Sequence, residues 1–232
     1  MYLIYGDITI ENIKIIDIKG RDTAPEMQKD TVSINGLNYE LLHNYGAYKL
    51  KSIDTEIYII RDSEESINNE INYIRTKLID TLDYKKIVFS DRSDEVFEGF
   101  VDDFIVEKIT HKVYKINILF KVKPFKYCHE SYYKLTLTTG ETINNPLYYY
   151  SEPYIKLYGT GDITLTINSE TITFNNVVDY IEISTELLEC FKDDESCNDK
   201  MVGKFPKLLP GENTIVFTGA SEVEIIPRWR CL

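Results

Sequence analysis

The stretch Asn198–Arg230, NDKMVGKFPKLLPGENTIVFTGASEVEIIPRWR, decides the fold class of this chain. Its Pro210-Gly211 step favours a turn, because proline presets φ and glycine accepts a positive φ. Thr214–Thr218 and Glu222–Ile226 each alternate apolar with polar or β-branched side chains, a pattern typical of strands with one solvated face. Pro227 has no N–H for a ladder, so it should end the second strand or leave it at an edge. The stretch therefore predicts a closing β-hairpin.

The same residues carry a resemblance to a known family. A Phe-Pro-x-Leu run from Phe205, a Pro-Gly-x-Asn run from Pro210 and the terminal Pro-Arg-Trp-Arg from Pro227 are similar to the C-terminal end of the distal tail proteins (Dit) of siphophages. Upstream, Asn145-Pro146 fits the same family. The resemblance implies structural or interface roles for what we call the C-terminal motif: Pro206, Pro210, Gly211, Asn213, Pro227, Arg228, Trp229 and Arg230.

The composition is that of a globular, β-rich protein. Of 232 residues, 12% are aromatic and 18 are tyrosine, which favours strands over helices. The net charge is -12, and a protein that grips nucleic acid needs clustered Lys and Arg, so DNA is disfavoured as a ligand. An acidic wall that DNA slides past is compatible with the same charge.

The N-terminus and the cysteines bear on where the protein works. Met1 leads straight into Tyr2–Tyr5 with no signal-peptide pattern, and no apolar run has the length of a membrane helix. We therefore expect a soluble protein made in a cytoplasm. The four cysteines show no C-x-x-C, which argues against a disulfide framework and a zinc module. Cys190 and Cys197 flank an acidic loop and could approach one another, but a cytoplasm favours reduced thiols.

Residues 1–140 are predicted to form a β-rich domain that carries one helix. Asn35-Gly36, set between the runs Thr31–Ile34 and Leu37–Leu42, predicts a type I′ hairpin. Val113–Val122 alternates as a strand with one buried face.

The helix gives the clearest local signal in this half. An apolar stripe at the helical period consists of Ile67, Ile71, Ile74, Leu78 and Leu82. Asp62 can cap the first turn with Glu65 as its capping-box partner, so the helix is predicted near residues 63–82. Such a helix is not stable alone, so its stripe should lie on a sheet.

Beyond a boundary predicted near residue 140, residues 141–232 should form an antiparallel β-sandwich. The strand patterns are Tyr154–Tyr158, Ile163–Asn168, Thr171–Phe174 and Tyr180–Ser184, with a turn at Gly159–Asp162. The family resemblance implies a finer description of both domains. It makes the first a tail-tube-like β-sandwich with one flanking helix, and the second a galectin-like antiparallel β-sandwich.

The sequence predicts no catalytic, metal or cofactor site. Cys128 and His129 are adjacent, but neighbouring side chains on a strand point apart and cannot serve as nucleophile and base. The acidic run Glu189–Asp199 lacks the spacing of a calcium loop, which favours a solvated loop. Asp102-Asp103 is more typical of a turn or a solvated face than of the paired carboxylates of a glycosidase.

Two stretches leave alternatives open. Tyr148–Tyr150 and Tyr154 could stack on a pyranose ring, although the His-x-Asn-x-Arg and Trp-x-x-Glu runs of galectins are absent. Core or interface tyrosines are the other interpretation. Arg228–Arg230 could be a docking patch, because Trp and Arg are favoured interface anchors. Alternatively, Trp229 plugs its own sandwich and the arginines pair with nearby carboxylates.

The resemblance implies a structural protein of a siphophage or prophage tail tip, assembled in the host cytoplasm, and no enzyme. Its N-terminal domains would form a ring, expected to be a hexamer, that joins the tail tube protein to a tail-associated fibre or lysin protein. The tape measure protein and later DNA would pass through the ring, and no membrane is involved. The alternative is a carbohydrate-binding adhesin that acts in host-cell recognition, and a glycan hydrolase ranks third.

Overall fold

A computed structural model describes residues 1–79 and 83–232, and the chain divides into two compact units. The first unit comprises residues 1–126 with Leu232, and the second comprises Tyr127–Cys231. The boundary that the sequence predicts, near residue 140, lies about fourteen residues C-terminal to this division. The segment Leu135–Leu137 pairs with the long strand Gly211–Ile226, and this pairing ties the intervening residues to the second unit.

The chain is mainly β, with one α-helix among the described residues. The first unit contains β1 (Leu3–Tyr5), β2 (Ile8–Ile10), β3 (Ile13–Lys19), β4 (Met27–Val32), β5 (Leu41–Tyr48), β6 (Lys51–Ile60), α1 (Glu64–Ile79), β7 (Lys85–Phe89), β8 (Glu95–Thr110) and β9 (Val113–Val122). After β10 (Lys126–Cys128) follow β11 (Leu135–Leu137), β12 (Thr142–Asn145), β13 (Tyr154–Ile167), β14 (Glu170–Val177), β15 (Tyr180–Ser184), β16 (Glu189–Lys192), β17 (Glu195–Ser196), β18 (Met201–Val202), β19 (Gly211–Ile226) and β20 (Arg230–Cys231).

Seven strands of the first unit form one antiparallel sheet in the order β2-β1-β7-β8-β9-β6-β3. The two end strands, β2 and β3, are separated in the chain only by Glu11 and Asn12. Because the three peptide steps from Ile10 to Ile13 span at most about 11 Å, the sheet must curl until its edges approach each other. The inner face of this sheet forms the core, to which β9 contributes Tyr114, Ile116, Ile118 and Phe120, as its alternation predicts.

The helix α1 packs its apolar stripe into this core. The buried residues of the stripe are Ile67, Ile71, Ile74 and Leu78, as predicted, while Leu82 lies outside the described residues. The cap is Ser63 and not Asp62, because the helix begins at Glu64 and the residue directly before it takes the N-cap position. Ser63 Oγ accepts a hydrogen bond from the Ser66 N–H at 3.2 Å.

Strands β4 and β5 form a separate two-stranded sheet. Val32 pairs with Leu41, so the eight residues 33–40 connect the strands in place of the predicted two-residue turn. Gly36 still turns the chain, with φ at +92°. The predicted strand bounds were wrong because an Asn-Gly turn within a longer loop has the same local chemistry as one that closes a hairpin.

Two long strands, β13 and β19, organise the second unit. They pair antiparallel from Tyr154↔Ile226 to Ile167↔Ile215, with an irregularity between Tyr158 and Thr164. The two predicted hairpin arms, Thr214–Thr218 and Glu222–Ile226, therefore belong to one continuous strand, β19, and not to a hairpin. The predicted turn at Gly159–Asp162 lies within β13. β15 pairs with the first half of β13 and β14 pairs with the second half, so the outer partners change where the long strands bend.

Glycines make this bend possible. Gly219 has φ at +79°, and a Cβ there would lie 2.2 Å from the carbonyl oxygen of Asp162. A Cβ on Gly159 would lie 2.5 Å from the carbonyl oxygen of Gly219. The two backbones cross too closely for side chains at these positions. The sequence pattern predicts turns at these positions because glycine supports a tight turn and a bent strand equally well.

The second unit has its own core, formed by one face of both long strands. It includes Ile155, Leu157, Ile163, Leu165 and Ile167 of β13, and Ile215, Phe217, Val223 and Ile225 of β19. β19 ends at Ile226, directly before Pro227, as the missing proline N–H predicts. Within the described ranges, no helix has the length and hydropathy that crossing a membrane requires.

Candidate functional site

Arg230 anchors the end of the chain within the second unit. The residue is 3% exposed, and its Nη1 donates to Glu152 Oε2 at 2.6 Å while Nε donates to the Tyr150 carbonyl at 3.0 Å. Its guanidinium carbon lies 4.9 Å from the ring centroid of Tyr150 and 5.7 Å from that of Tyr149. A charge this deeply buried is tolerated when it is paired and hydrogen-bonded. These contacts therefore fasten the C-terminus to the segment that precedes β13.

Trp229 and Arg228 complete the end of the C-terminal motif. Trp229 is 6% exposed and belongs to the core of the second unit, so it plugs this unit and is not an exposed docking anchor. Arg228 adopts a left-handed backbone conformation, with φ at +51°. Its Nη1 donates to Glu186 Oε2 at 2.5 Å, and its N–H donates to the Ser131 carbonyl at 2.8 Å. Both arginines thus pair with carboxylates of their own unit.

Asn213 holds the Pro210-Gly211 turn in place. Its Oδ1 accepts from the Leu209 N–H at 2.7 Å, and its Nδ2 donates to the carbonyls of Leu209 and Gly211 at 2.8 and 2.9 Å. The side chain is fully buried, so these bonds satisfy groups that would otherwise be costly to desolvate. The carbonyl of Pro206 accepts a hydrogen bond from Thr185 Oγ1 at 3.0 Å. These contacts give this part of the motif a structural role.

Of the tyrosines considered for sugar stacking, Tyr149, Tyr150 and Tyr154 are engaged by neighbouring side chains. The rings of Tyr149 and Tyr150 stack with centroids 4.5 Å apart, and Lys207 Nζ lies 4.1 Å from the Tyr150 centroid. Burial and, to a smaller extent, a hydrogen bond with the Glu182 side chain raise the pKa of the Tyr154 hydroxyl. Tyr148 is 98% exposed. The contacts at Tyr149 and Tyr150 occupy ring surface that a pyranose would need, which weakens the sugar-binding interpretation.

The surroundings of Cys128 and His129 do not favour a nucleophile–base pair. Burial raises the pKa of the Cys128 thiol, which is the reverse of what a nucleophilic thiolate needs. His129 Nδ1 lies 3.2 Å from the Tyr133 hydroxyl, and the two rings pack edge to face. The histidine is therefore turned toward Tyr133.

The two acidic stretches differ in their surroundings. Asp193, in the loop between β16 and β17, accepts from the Tyr180 hydroxyl at 2.5 Å, and this bond is the main cause that raises the pKa of Tyr180 to about 12. Asp102 and Asp103 are exposed and lie at a bulge of β8. In the part of the chain that the structure describes, no three His, Cys, Asp or Glu residues are grouped to hold a metal ion.

The β4–β5 hairpin and its connecting loop carry exposed apolar side chains, on both faces of the strands, that the sequence pattern did not reveal. These residues, between 37% and 67% exposed, are Met27, Val32, Ile34, Leu37, Tyr39, Leu41, Leu42 and Tyr45. A two-stranded hairpin alone is marginally stable in water, and clustered exposed apolar side chains mark interaction surfaces. Internal contacts preform this hairpin: Tyr45 Oη donates to Asp30 Oδ2, and Lys49 Nζ donates to Glu26 Oε1, each at 2.6 Å.

No family model and no curated protein matches the chain. Among solved structures, it is similar to the SPP1 Dit protein, which is described as a paradigm of the hub adsorption apparatus in phages that infect Gram-positive bacteria. The identity is 12% and the TM-score is 0.71, over 97% of this chain and 96% of that chain. It is also similar to a chain of the phage p2 baseplate in its activated conformation with Sr, at 11% identity and a TM-score of 0.51, over 97% and 96% of the two chains. This chain has the distal tail protein fold.

The distal tail protein fold extends over both units, since the match with the SPP1 protein covers 97% of the chain. The resemblance inferred from the C-terminal motif is thereby confirmed at the level of the fold. At 12% identity, the similarity supports a shared fold but does not assign roles to single residues. The roles of the motif residues therefore rest on the contacts that they make in this chain.

Proposed function

We propose that this protein is the ring-shaped hub of a siphophage or prophage tail tip. The hub would join the tail tube protein to a tail-associated fibre or lysin protein, and the tape measure protein and later DNA would pass through it. The role is structural and involves no catalysis, cofactor or membrane. The protein would be assembled in the host cytoplasm and reside in the virion tail tip. The likeness of the whole chain to a phage hub protein supports this proposal.

Each of the two units has its own proposed role. The first unit is proposed to be the tail-tube-like domain that forms the ring, which is expected to be a hexamer. The second is proposed to be a galectin-like sandwich. The net charge of -12 suits a conduit for DNA, because carboxylates repel phosphates and do not trap the passing strand.

The observation that carries the proposal is the exposed surface of the β4–β5 hairpin. Leu42 is 63% exposed and Tyr45 is 56% exposed, and among the described residues β4 and β5 pair only with each other. A ring of identical copies is built from heterologous contacts, in which such a projecting element is covered by a different surface of the next copy. A second copy of this chain is therefore the proposed occupant of the hairpin surface.

The test is the solution mass measured by light scattering over a range of concentrations. Six copies of the 27.1 kDa chain weigh about 163 kDa, and a closed ring should keep this mass on dilution. Leu42→Lys places a charge in the proposed interface and should shift the mass toward the monomer. Leu187→Lys is the matched control, because Leu187 is 68% exposed but lies in a turn of the second unit.

Two results would contradict the proposal. The first is a chain that remains at 27.1 kDa at every concentration, since the ring is proposed to form from this chain alone. The second is a ring whose mass is unchanged by Leu42→Lys, which would place the interface elsewhere.

A further inference from the structure

Two cysteines face each other at the outer end of the sheet in the second unit. β16 pairs with β17 at Phe191↔Ser196 and Lys192↔Glu195, and the next step of this register sets Cys190 opposite Cys197. The Cys197 N–H donates to the Cys190 carbonyl at 2.7 Å, so the ladder continues as far as this pair. Directly opposite residues of an antiparallel ladder point to the same face of the sheet.

Both cysteine side chains point into the core of the second unit. Cys190 is 0% exposed and Cys197 is 7% exposed, and both thiols are free in this structure. In a hydrogen-bonded antiparallel pair the Cα atoms lie about 5.5 Å apart, and disulfides join Cα atoms about 4.4–6.8 Å apart. The backbone separation therefore already suits a covalent bond.

The outer strand of this pair has room to adjust. Disulfides need Cβ atoms about 3.5–4.5 Å apart, somewhat closer than a hydrogen-bonded pair provides, so one strand must shift slightly. β17 has two residues, both exposed. On the other side, the Cys190 N–H bonds to Asn198 Oδ1 at 2.7 Å and not to the Cys197 carbonyl. The ladder therefore holds Cys197 by one backbone bond at this step.

We propose that Cys190 and Cys197 are a disulfide-forming pair, which closes the acidic β16–β17 hairpin when the protein meets an oxidising medium. That the protein meets an oxidising medium rests on the proposed function, because a virion protein is assembled in a reducing cytoplasm and later released from it. The pairing itself rests on the geometry of the two strands.

The oxidant is a small-molecule disulfide such as oxidised glutathione. A protein thiolate attacks one of its sulfurs and expels a glutathione thiolate, and the second cysteine then attacks the mixed disulfide and expels the other. Two protein thiols lose their protons and are oxidised to one disulfide, while one glutathione disulfide is reduced to two thiols. Burial, together with the neighbouring Cys197 sulfur, raises the pKa of Cys190 to about 12. Cys190 is 0% exposed and Cys197 is 7% exposed, so Cys197 is the thiol that meets the oxidant first.

The test is a count of free thiols in the denatured, purified full chain, before and after equilibration with excess oxidised glutathione. Peptide mapping should find the bond between Cys190 and Cys197, and two of the four thiols should be lost to this bond and not to mixed disulfides with glutathione. Oxidised wild-type protein should unfold at a higher temperature than reduced protein when Trp229 fluorescence is followed, because the bond restricts the unfolded chain. This comparison needs no variant and remains valid if a substitution impairs folding.

The other cysteines supply the control. Cys128→Ser should still lose two thiols, whereas Cys197→Ser should lose none to an intrachain bond. A persistent count of four, or a bond that involves Cys128 or Cys231 or joins two chains, would overturn the proposal. The count is made on denatured chains, so its result does not depend on whether a ring forms.

Discussion

Replacing Arg230 with alanine should destabilise the second unit by about 3 kcal/mol. The substitution leaves the Glu152 carboxylate and the Tyr150 carbonyl without the donors that lie 2.6 and 3.0 Å away. Breaking a buried ion pair costs about 3–5 kcal/mol. The low end applies because the Arg230 side chain is 4% exposed while that of Glu152 is 21% exposed and keeps some hydration.

The assay is urea unfolding followed by the fluorescence of Trp229. It is the only tryptophan of the chain and lies in the core of the second unit, so its emission reports that unit. With a urea slope of about 2 kcal/mol/M, the expected loss lowers the midpoint by about 1.5 M. In the Arg230→Ala background, Glu152→Gln should lower the free energy of unfolding by less than it does in the wild-type chain, because the ion pair is already broken.

Arg228→Ala is the matched control for this prediction. Arg228 also pairs with a carboxylate, but its side chain is 25% exposed and that of Glu186 is 20% exposed. Such a hydrated pair is expected to contribute about 1 kcal/mol. If Arg230→Ala costs no more than Arg228→Ala, the reasoning that burial makes Arg230 the anchor of the C-terminus is refuted.

Gly219→Ala should cost at least about 3 kcal/mol, because the new Cβ meets a backbone oxygen at 2.2 Å where φ is +79°. Gly211→Ala, with φ at +84° and nothing within 4 Å, should cost only about 1 kcal/mol, and equal losses in thermal melts would contradict the close approach. A hydrogen bond from Lys134 holds the pKa of Glu224 below its ordinary value of 4.5. The stabilisation from the ionised Glu224 carboxylate is therefore fully present above pH 4.5 and is lost as the pH falls through the lower pKa of the folded state. Glu224→Gln should therefore make the free energy of unfolding depend less steeply on pH in the acid range. An unchanged pH dependence would count against this carboxylate. Ile74→Ala, at a helix position that is 2% exposed, should cost about 2–5 kcal/mol in melts followed by far-UV circular dichroism, and a loss below about 1 kcal/mol would contradict its burial.

The places where sequence reasoning failed share a physical cause. The bend at Gly159–Asp162 and the step at Gly219 have the chemistry of turns, and only the pairing of β13 with β19 along both halves makes them strand interiors. Asp62 and Ser63 are both residue types that can cap a helix. Ser63 is the cap because tertiary packing sets the start of the helix at Glu64.

Exposure could not be predicted for the β4–β5 hairpin either. The alternation of its residues predicts strands, but whether an apolar face is covered depends on what the rest of the chain places against it. The same holds for Trp229, whose two interpretations differed only in burial. Cys190 and Cys197 were expected to approach one another, and the register of β16 with β17 sets them directly opposite.

The sequence by itself determined the β class, the helical stripe of α1, the alternation of β9, the end of β19 at Pro227 and the family resemblance of the C-terminal motif. Each of these follows from residue periodicity or from the preferences of single residues, which act over a few positions of the chain. The tertiary structure alone decided the continuous course of β13 and β19, the burial of Arg230 with Glu152 and the exposure of the hairpin. Those features depend on hydrogen bonds and contacts between residues far apart in the chain, which leave no local pattern to read.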